Sequence, residues 1–273
     1  MASSTHPDPS TWPARLSQLA LPRSAVRTLV ACATSGELCP ELGLHDSAAQ
    51  ALFAELGGSS NAFSNGELRC AAFRTQVVDQ LTENFFERNP GALGVGLWPL
   101  LGTRSHRFDS KPWVDVDAPP VADLRRRFLP SRSGWLQQAS CLCNAAWVDG
   151  LGGGQSRQRL FVLDESVLPL NAEVMMRVLD TISRGGSVSS ELIVAFDAHA
   201  PLRRVQPFQR TSALELMVSS ATGAEELVRY PRLRVVDPDN YGESLRTSID
   251  GINAVARLQR GIGAPAFMHL QLV

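Results

Sequence analysis

Residues 92–97 read Ala92-Leu93-Gly94-Val95-Gly96-Leu97, and after a short interval residues 113–117 read Trp113-Val114-Asp115-Val116-Asp117. Each is a brief apolar run closed by turn-forming or acidic residues, the pattern of a strand buried on both faces of a sheet. Between and after them the periodicity switches. Val121–Phe128 carries helical spacing, Leu136–Leu142 is again extended, and Arg159–Leu163, a helix over Ala172–Ser183 and Ser190–Phe196 continue the alternation. Strands alternating with helices predict βαβ units, hence a parallel sheet with helices on both faces. Toward the end, Val235-Val236 and Ala266–Val273 read as strands around a helix near Glu243–Arg260.

Upstream of residue 90 the reading is helical. Leu16–Ala33, Ser47–Leu56 and Glu67–Arg88 place apolar residues at three- and four-residue steps, with Gly36, Pro40 and Gly43 between the first two and Asn89-Pro90 ending the third. The expected organisation is an N-terminal helical cap over 1–89 and an α/β core over 90–273, with an inserted helical segment at about 201–230.

Composition narrows the function classes. The chain has 273 residues, 44% apolar and 19% charged, enough to bury a full core. Its net charge is −1, so no general basic field attracts nucleic acid or an anionic bilayer. No run approaches the roughly 18–20 apolar residues of a membrane span. Lys111 is the sole lysine among 26 basic residues, which reads as a codon bias rather than a phosphate-binding device. The 5 cysteines form no C-x-x-C pair and the 5 histidines are scattered, so no metal site is expected. Residues 1–22 lack the apolar centre of a signal peptide, so the expectation is a cytoplasmic protein with free thiols.

In an open parallel sheet, ligands bind beyond the carboxyl ends of the strands. Gly94 and Gly96 end the first run and would let a backbone turn approach a ligand, although Pro99 stands where a dinucleotide fingerprint has its third glycine. Asp115 and Asp117 alternate onto one face. Asp117 follows the glycines by about 20 residues, the spacing at which an acid accepts hydrogen bonds from ribose hydroxyls; a strand-end or helix-capping aspartate is the alternative. Asp164-Glu165-Ser166 closes another strand, as solvated turn chemistry or as a partner for a cationic ligand group. Arg74, on the helix before the first strand, can grip a carboxylate with its planar fork or simply face solvent.

Taken together, these blocks resemble the leucine carboxyl methyltransferase superfamily. The resemblance lies in Arg74-Thr75-Gln76-Val77-Val78-Asp79, Leu93-Gly94-Val95-Gly96-Leu97 and Gly102-Thr103-Arg104. It continues in Trp113-Val114-Asp115-Val116-Asp117-Ala118-Pro119, Leu124-Arg125-Arg126-Arg127-Phe128-Leu129-Pro130, Ser140-Cys141-Leu142 and Leu163–Leu170, and the middle blocks are most similar to the polyketide O-methyltransferase branch. The resemblance implies a Rossmann-like class I methyltransferase: a mostly parallel seven-stranded sheet, S-adenosylmethionine as cofactor, and O-methylation of a small acid or polyketide. It further implies that Arg74 holds the methionine carboxylate, Gly94 and Gly96 form the turn beside the cofactor, Asp117 binds the ribose, Cys141 and Leu142 flank the adenine, and Glu165 meets the methionine end. The chain departs from the pattern after the first strand, where Trp98-Pro99-Leu100-Leu101-Gly102 precedes Thr103 with no acidic residue.

A carboxylate acceptor needs no base, whereas a hydroxyl does. His199 and His106 are the candidates for that role, and both also read as structural. The expected partner is a small-molecule acceptor, with no nucleic acid and no membrane, and the chain acts as a monomer or homodimer. Three other readings stay open: a binding or regulatory protein on the same scaffold, a nicotinamide-dependent oxidoreductase, and an enzyme that keeps the cofactor for another reaction such as a cyclisation.

Overall fold

A computed structural model describes residues 21–152, 157–164, 172–197, 232–236 and 265–273. The inserted segment at 201–230, the helix near 243–260, Glu165 and His199 lie outside the described residues.

Among the described residues three α-helices come first: α1 (Arg23–Leu38), α2 (Ser47–Glu55) and α3 (Asn65–Arg88). The starts of α2 and α3 each have a physical cause. Asp46 caps α2 by accepting from the Ala49 amide at 2.8 Å. Ser64 and Glu67 form a reciprocal capping box on α3, satisfying donors the helix itself cannot. Helix α3 has two jobs along its length. Leu68, Ala71 and Ala72 pack with α1 and α2 in the cap. Val77, Val78, Leu81, Phe85 and Phe86 pack instead on sheet residues Trp113, Leu160, Val162 and Ile193.

The strands are β1 (Leu93–Leu97), β2 (Trp113–Asp117), β3 (Trp135–Ala139), β4 (Arg159–Asp164), β5 (Glu191–Asp197), β6 (Leu233–Val235) and β7 (Pro265–Leu272). Between them lie α4 (Arg104–Arg107), α5 (Pro119–Phe128), α6 (Ala146–Asp149) and α7 (Ala172–Gly185). Proline at the start of α5 uses a position whose amide would be unpaired in any case. The seven strands order as β3-β2-β1-β4-β5-β7-β6. Pairing is parallel from β3 through β5, while β7 runs antiparallel to both β5 and β6. Strands β1 and β2 are buried at every residue, whereas in β3, at the edge, only Gln137 is buried. The expected parallel sheet with helices on both faces is therefore present, and the strand order reverses between β1 and β4, the place where such sheets bind ligands.

Candidate functional site at the carboxyl edge of the sheet

The glycine pair is not where the sequence reading put it. Gly94 and Gly96 lie inside β1, in register with Trp113 and Asp115 of β2. A Cβ on Gly94 would stand 2.2 Å from the Trp113 ring, and one on Gly96 would stand 2.3 Å from Asp115 Oδ1. The missing side chains make room for protein groups on the neighbouring strand, so these glycines serve sheet packing rather than a ligand turn. The turn that leaves β1 is Trp98–Gly102. In it Trp98 (φ 48°) and Leu100 (φ 52°) occupy the left-handed region without being glycine.

Asp115 and Asp117 do share a face, as alternation requires, and both turn to Arg125 of α5. That guanidinium is fully buried. Its Nη2 meets Asp115 Oδ2 at 2.5 Å, its Nε lies 3.4 Å from Asp117 Oδ2 and donates to Gln137 Oε1 at 2.7 Å, and its Nη1 donates to the carbonyls of Leu100 and Gly102. Asp115 also accepts from Ser105, Trp113 and Trp135. Asp117 is 0% exposed. Its Oδ1 accepts from the Leu100 amide at 3.1 Å and its Oδ2 from Gln137 Nε2 at 3.1 Å. Burial, helped by the neighbouring Asp115 charge, pushes Asp117 up to about 7 although Arg125, Leu100 and Gln137 pull the other way.

A second charged network sits where α1, α3 and α4 meet the ends of β1 and β4. Arg104 bridges Asp79 and Asp164 at 2.7 Å each. Arg107 holds Asp79 through Nε at 2.6 Å and Nη2 at 2.9 Å, and also reaches Asp46, which Thr103 Oγ1 meets at 2.6 Å. Burial opposes ionisation of Asp79, but the two guanidiniums outweigh it and hold its carboxyl below the usual range. Arg74, expected to meet a ligand carboxylate, is 1% exposed, 3.3 Å from Asp164 and donating to Thr28 Oγ1 at 2.9 Å. Arg104, Arg107 and Asp164 of this network border a cavity that Thr28, Cys32, Thr75 and Leu100, among others, also line. Burial pushes the Cys32 thiol up to about 12, so it is no nucleophile there.

The remaining candidates divide. Leu142 is 1% exposed and packs in the core with Leu97, Val116 and Trp147. Cys141 is half-buried and disulfide-bonded to Cys143, so the free-thiol expectation holds only for Cys32, Cys39 and Cys70. His106 has both ring nitrogens engaged, by Ser105 Oγ at 3.2 Å and the Pro130 carbonyl at 2.9 Å, and burial lowers its pKa. It is a structural histidine packed on Trp135. The roles of Arg125, Arg107 and Asp46 were missed. Arg125 lay in a quoted block, but a run of three arginines does not say which one turns inward.

The strand order, parallel except for a reversed β7 inserted between β5 and β6, decides the architecture. The fold is that of the class I methyltransferases. No family model matches the chain. It is 28% identical over 143 residues to the tetracenomycin polyketide synthesis O-methyltransferase TcmP of Streptomyces glaucescens, a match covering 50% of this chain and 49% of that protein. The chain thus spans about half the length of the curated relative it matches, and this match bears out the resemblance read from the sequence. Among solved structures, a DUF574 family protein from Streptomyces avermitilis aligns with 13% identity over 88% of this chain and 97% of that one, at a TM-score of 0.48. A methyltransferase-like protein from Thermobifida fusca aligns with 13% identity over 90% and 93%, at 0.46. No helix among the described residues is long and apolar enough to cross a membrane.

The residues test the cofactor unevenly. In an open parallel sheet an acid at the end of the second strand is placed to take ribose hydroxyls, and Asp117 stands at that position. Its oxygens, however, are taken by Leu100, Gln137 and Arg125, and the turn that should make room is filled by Trp98, Pro99 and Leu100. In this arrangement the acidic position suits a nucleoside and the turn does not.

Proposed function

We propose that this chain binds S-adenosylmethionine along the carboxyl edge of the sheet and methylates an oxygen of a small molecule, a carboxyl group in preference to a hydroxyl. The observation that carries the proposal is the strand order with Asp117 closing β2 beside the reversal point. The similarity to a polyketide O-methyltransferase supports a polyketide-type acceptor, and the reading includes a monomer or homodimer that engages neither nucleic acid nor membrane.

Bound S-adenosylmethionine would supply an electrophilic methyl group on a sulfonium. The chain's own part is to position and to exclude water. Asp117 would take the ribose hydroxyls, Arg74 the amino-acid carboxylate, and Glu165, outside the described residues, the ammonium. Helix α1 contributes Thr28 and Cys32 to the wall of the cavity. A carboxylate acceptor is ionised at neutral pH and asks for no proton removal, which agrees with a His106 whose nitrogens are both engaged.

The test is transfer of label from methyl-tritiated S-adenosylmethionine to a panel of aromatic polyketide acids and their hydroxyl-only analogues. Label released by mild base, as from a methyl ester, is the expected result. Base-stable label would move the acceptor to hydroxyl, and no transfer to any acceptor would sink the transferase. A second reading, a binding or regulatory role on this fold, is favoured by one observation, the internal engagement of Asp117.

A further inference from the structure

We infer that the turn Trp98–Gly102 is a built-in competitor for the nucleoside, with Leu100 as the residue that sets how tightly this chain takes its cofactor. The inference rests on the reading above and deepens it. Three sets of contacts hold the turn shut. From below, the Leu100 amide donates to Asp117 Oδ1 at 3.1 Å, the oxygen a ribose hydroxyl would need. From the side, Arg125 Nη1 takes the carbonyls of Leu100, at 3.0 Å, and of Gly102. From above, the Leu100 side chain is buried in a small apolar cluster with Ala25 of α1 and Val121 of α5. Leu100 also forms part of the cavity wall beside Thr28, Arg104 and Asp164.

The backbone makes this closed form a poised one. Trp98 at φ 48° and Leu100 at φ 52° flank Pro99, and bulky residues persist in the left-handed region only where their surroundings over-determine them. The contacts hold the turn against its own preference, so a ligand able to replace them at Asp117 can open it. A site whose competent form is a minor population binds with an apparent affinity reduced by that fraction. Removing the apolar anchor while keeping a side chain in the strained position shifts the population toward the open form.

The variant is therefore Leu100→Ala, which keeps the Cβ and hence the strain but empties the cluster with Ala25 and Val121. Calorimetric titration of the full chain with S-adenosylhomocysteine should show Leu100→Ala binding about tenfold more tightly than wild type, or binding measurably where wild type does not. Hydrogen exchange of wild type supplies an independent reading should the variant fail to fold. The Leu100 amide is expected to be protected without ligand and to exchange faster as S-adenosylhomocysteine saturates. Saturable wild-type binding with unchanged affinity in Leu100→Ala, or with Leu100 still protected, would overturn the competitor and leave the cofactor reading standing. No binding by either protein at millimolar ligand would overturn both.

Discussion

Arg125→Met removes the guanidinium on which the candidate site is built and keeps most of its apolar stem. The structure sets the size of the effect. Arg125 is fully buried and neutralises two buried carboxylates, with contacts of 2.5 Å to Asp115 and 3.4 Å to Asp117, while satisfying the carbonyls of Leu100 and Gly102. Breaking a buried pair from one side costs about 3–5 kcal/mol, because the remaining charge stays buried without compensation. The loss should also depend on pH. Asp117 already sits at about 7, raised by burial and by Asp115 and lowered by Arg125; without Arg125 it rises further. A carboxyl with a raised folded pKa binds protons more readily folded than unfolded, so its contribution to stability falls as pH climbs through that window. The variant should thus lose more at pH 8 than at pH 6, by roughly 1 kcal/mol or more, since each pKa unit is about 1.4 kcal/mol. Urea unfolding followed by tryptophan fluorescence at both values measures it. A loss under about 1 kcal/mol, or one that does not change with pH, would refute the idea that Arg125 holds the two acids.

Two further outcomes follow from the same region. Gly94→Ala should destabilise by about 1–3 kcal/mol through overpacking, because its Cβ would meet a Trp113 ring already fixed by Phe86, Phe108 and a 2.9 Å bond to Asp115; unaltered stability with weakened ligand binding would return this glycine to a ligand role. Wild type should lose stability relative to Asp117→Asn as pH rises from about 4 to 7, the interval between the ordinary carboxyl value of 3.8 and the folded value of about 7. Parallel pH profiles of the two proteins in chemical denaturation would contradict the buried-acid assignment.

The fold was largely legible because its signal is periodic. Fully buried strands such as β1 and β2 are continuous apolar runs, and their spacing by amphipathic segments identifies a parallel sheet before any site is considered. The position of Asp117 at the end of β2 was legible for a related reason, since an apolar run closed by an acid marks where a buried strand stops. The glycines misled because a glycine in sequence does not say whether it frees a turn or makes room for a neighbour. Only the register that sets Gly94 beside Trp113 and Gly96 beside Asp115 separates the two. Arg74, Arg104 and Arg107 were visible as charges, but their pairing with Asp46, Asp79 and Asp164 joins residues far apart in the chain. Their burial follows from packing, which periodicity does not encode.

A crystal structure of the wild-type chain grown with S-adenosylhomocysteine addresses the central claim most directly. The expected result is a ribose on the Asp117 carboxylate, with the Leu100 amide released from its present 3.1 Å contact and the turn after β1 displaced. A ligand bound elsewhere, with Leu100 still donating to Asp117, would contradict it.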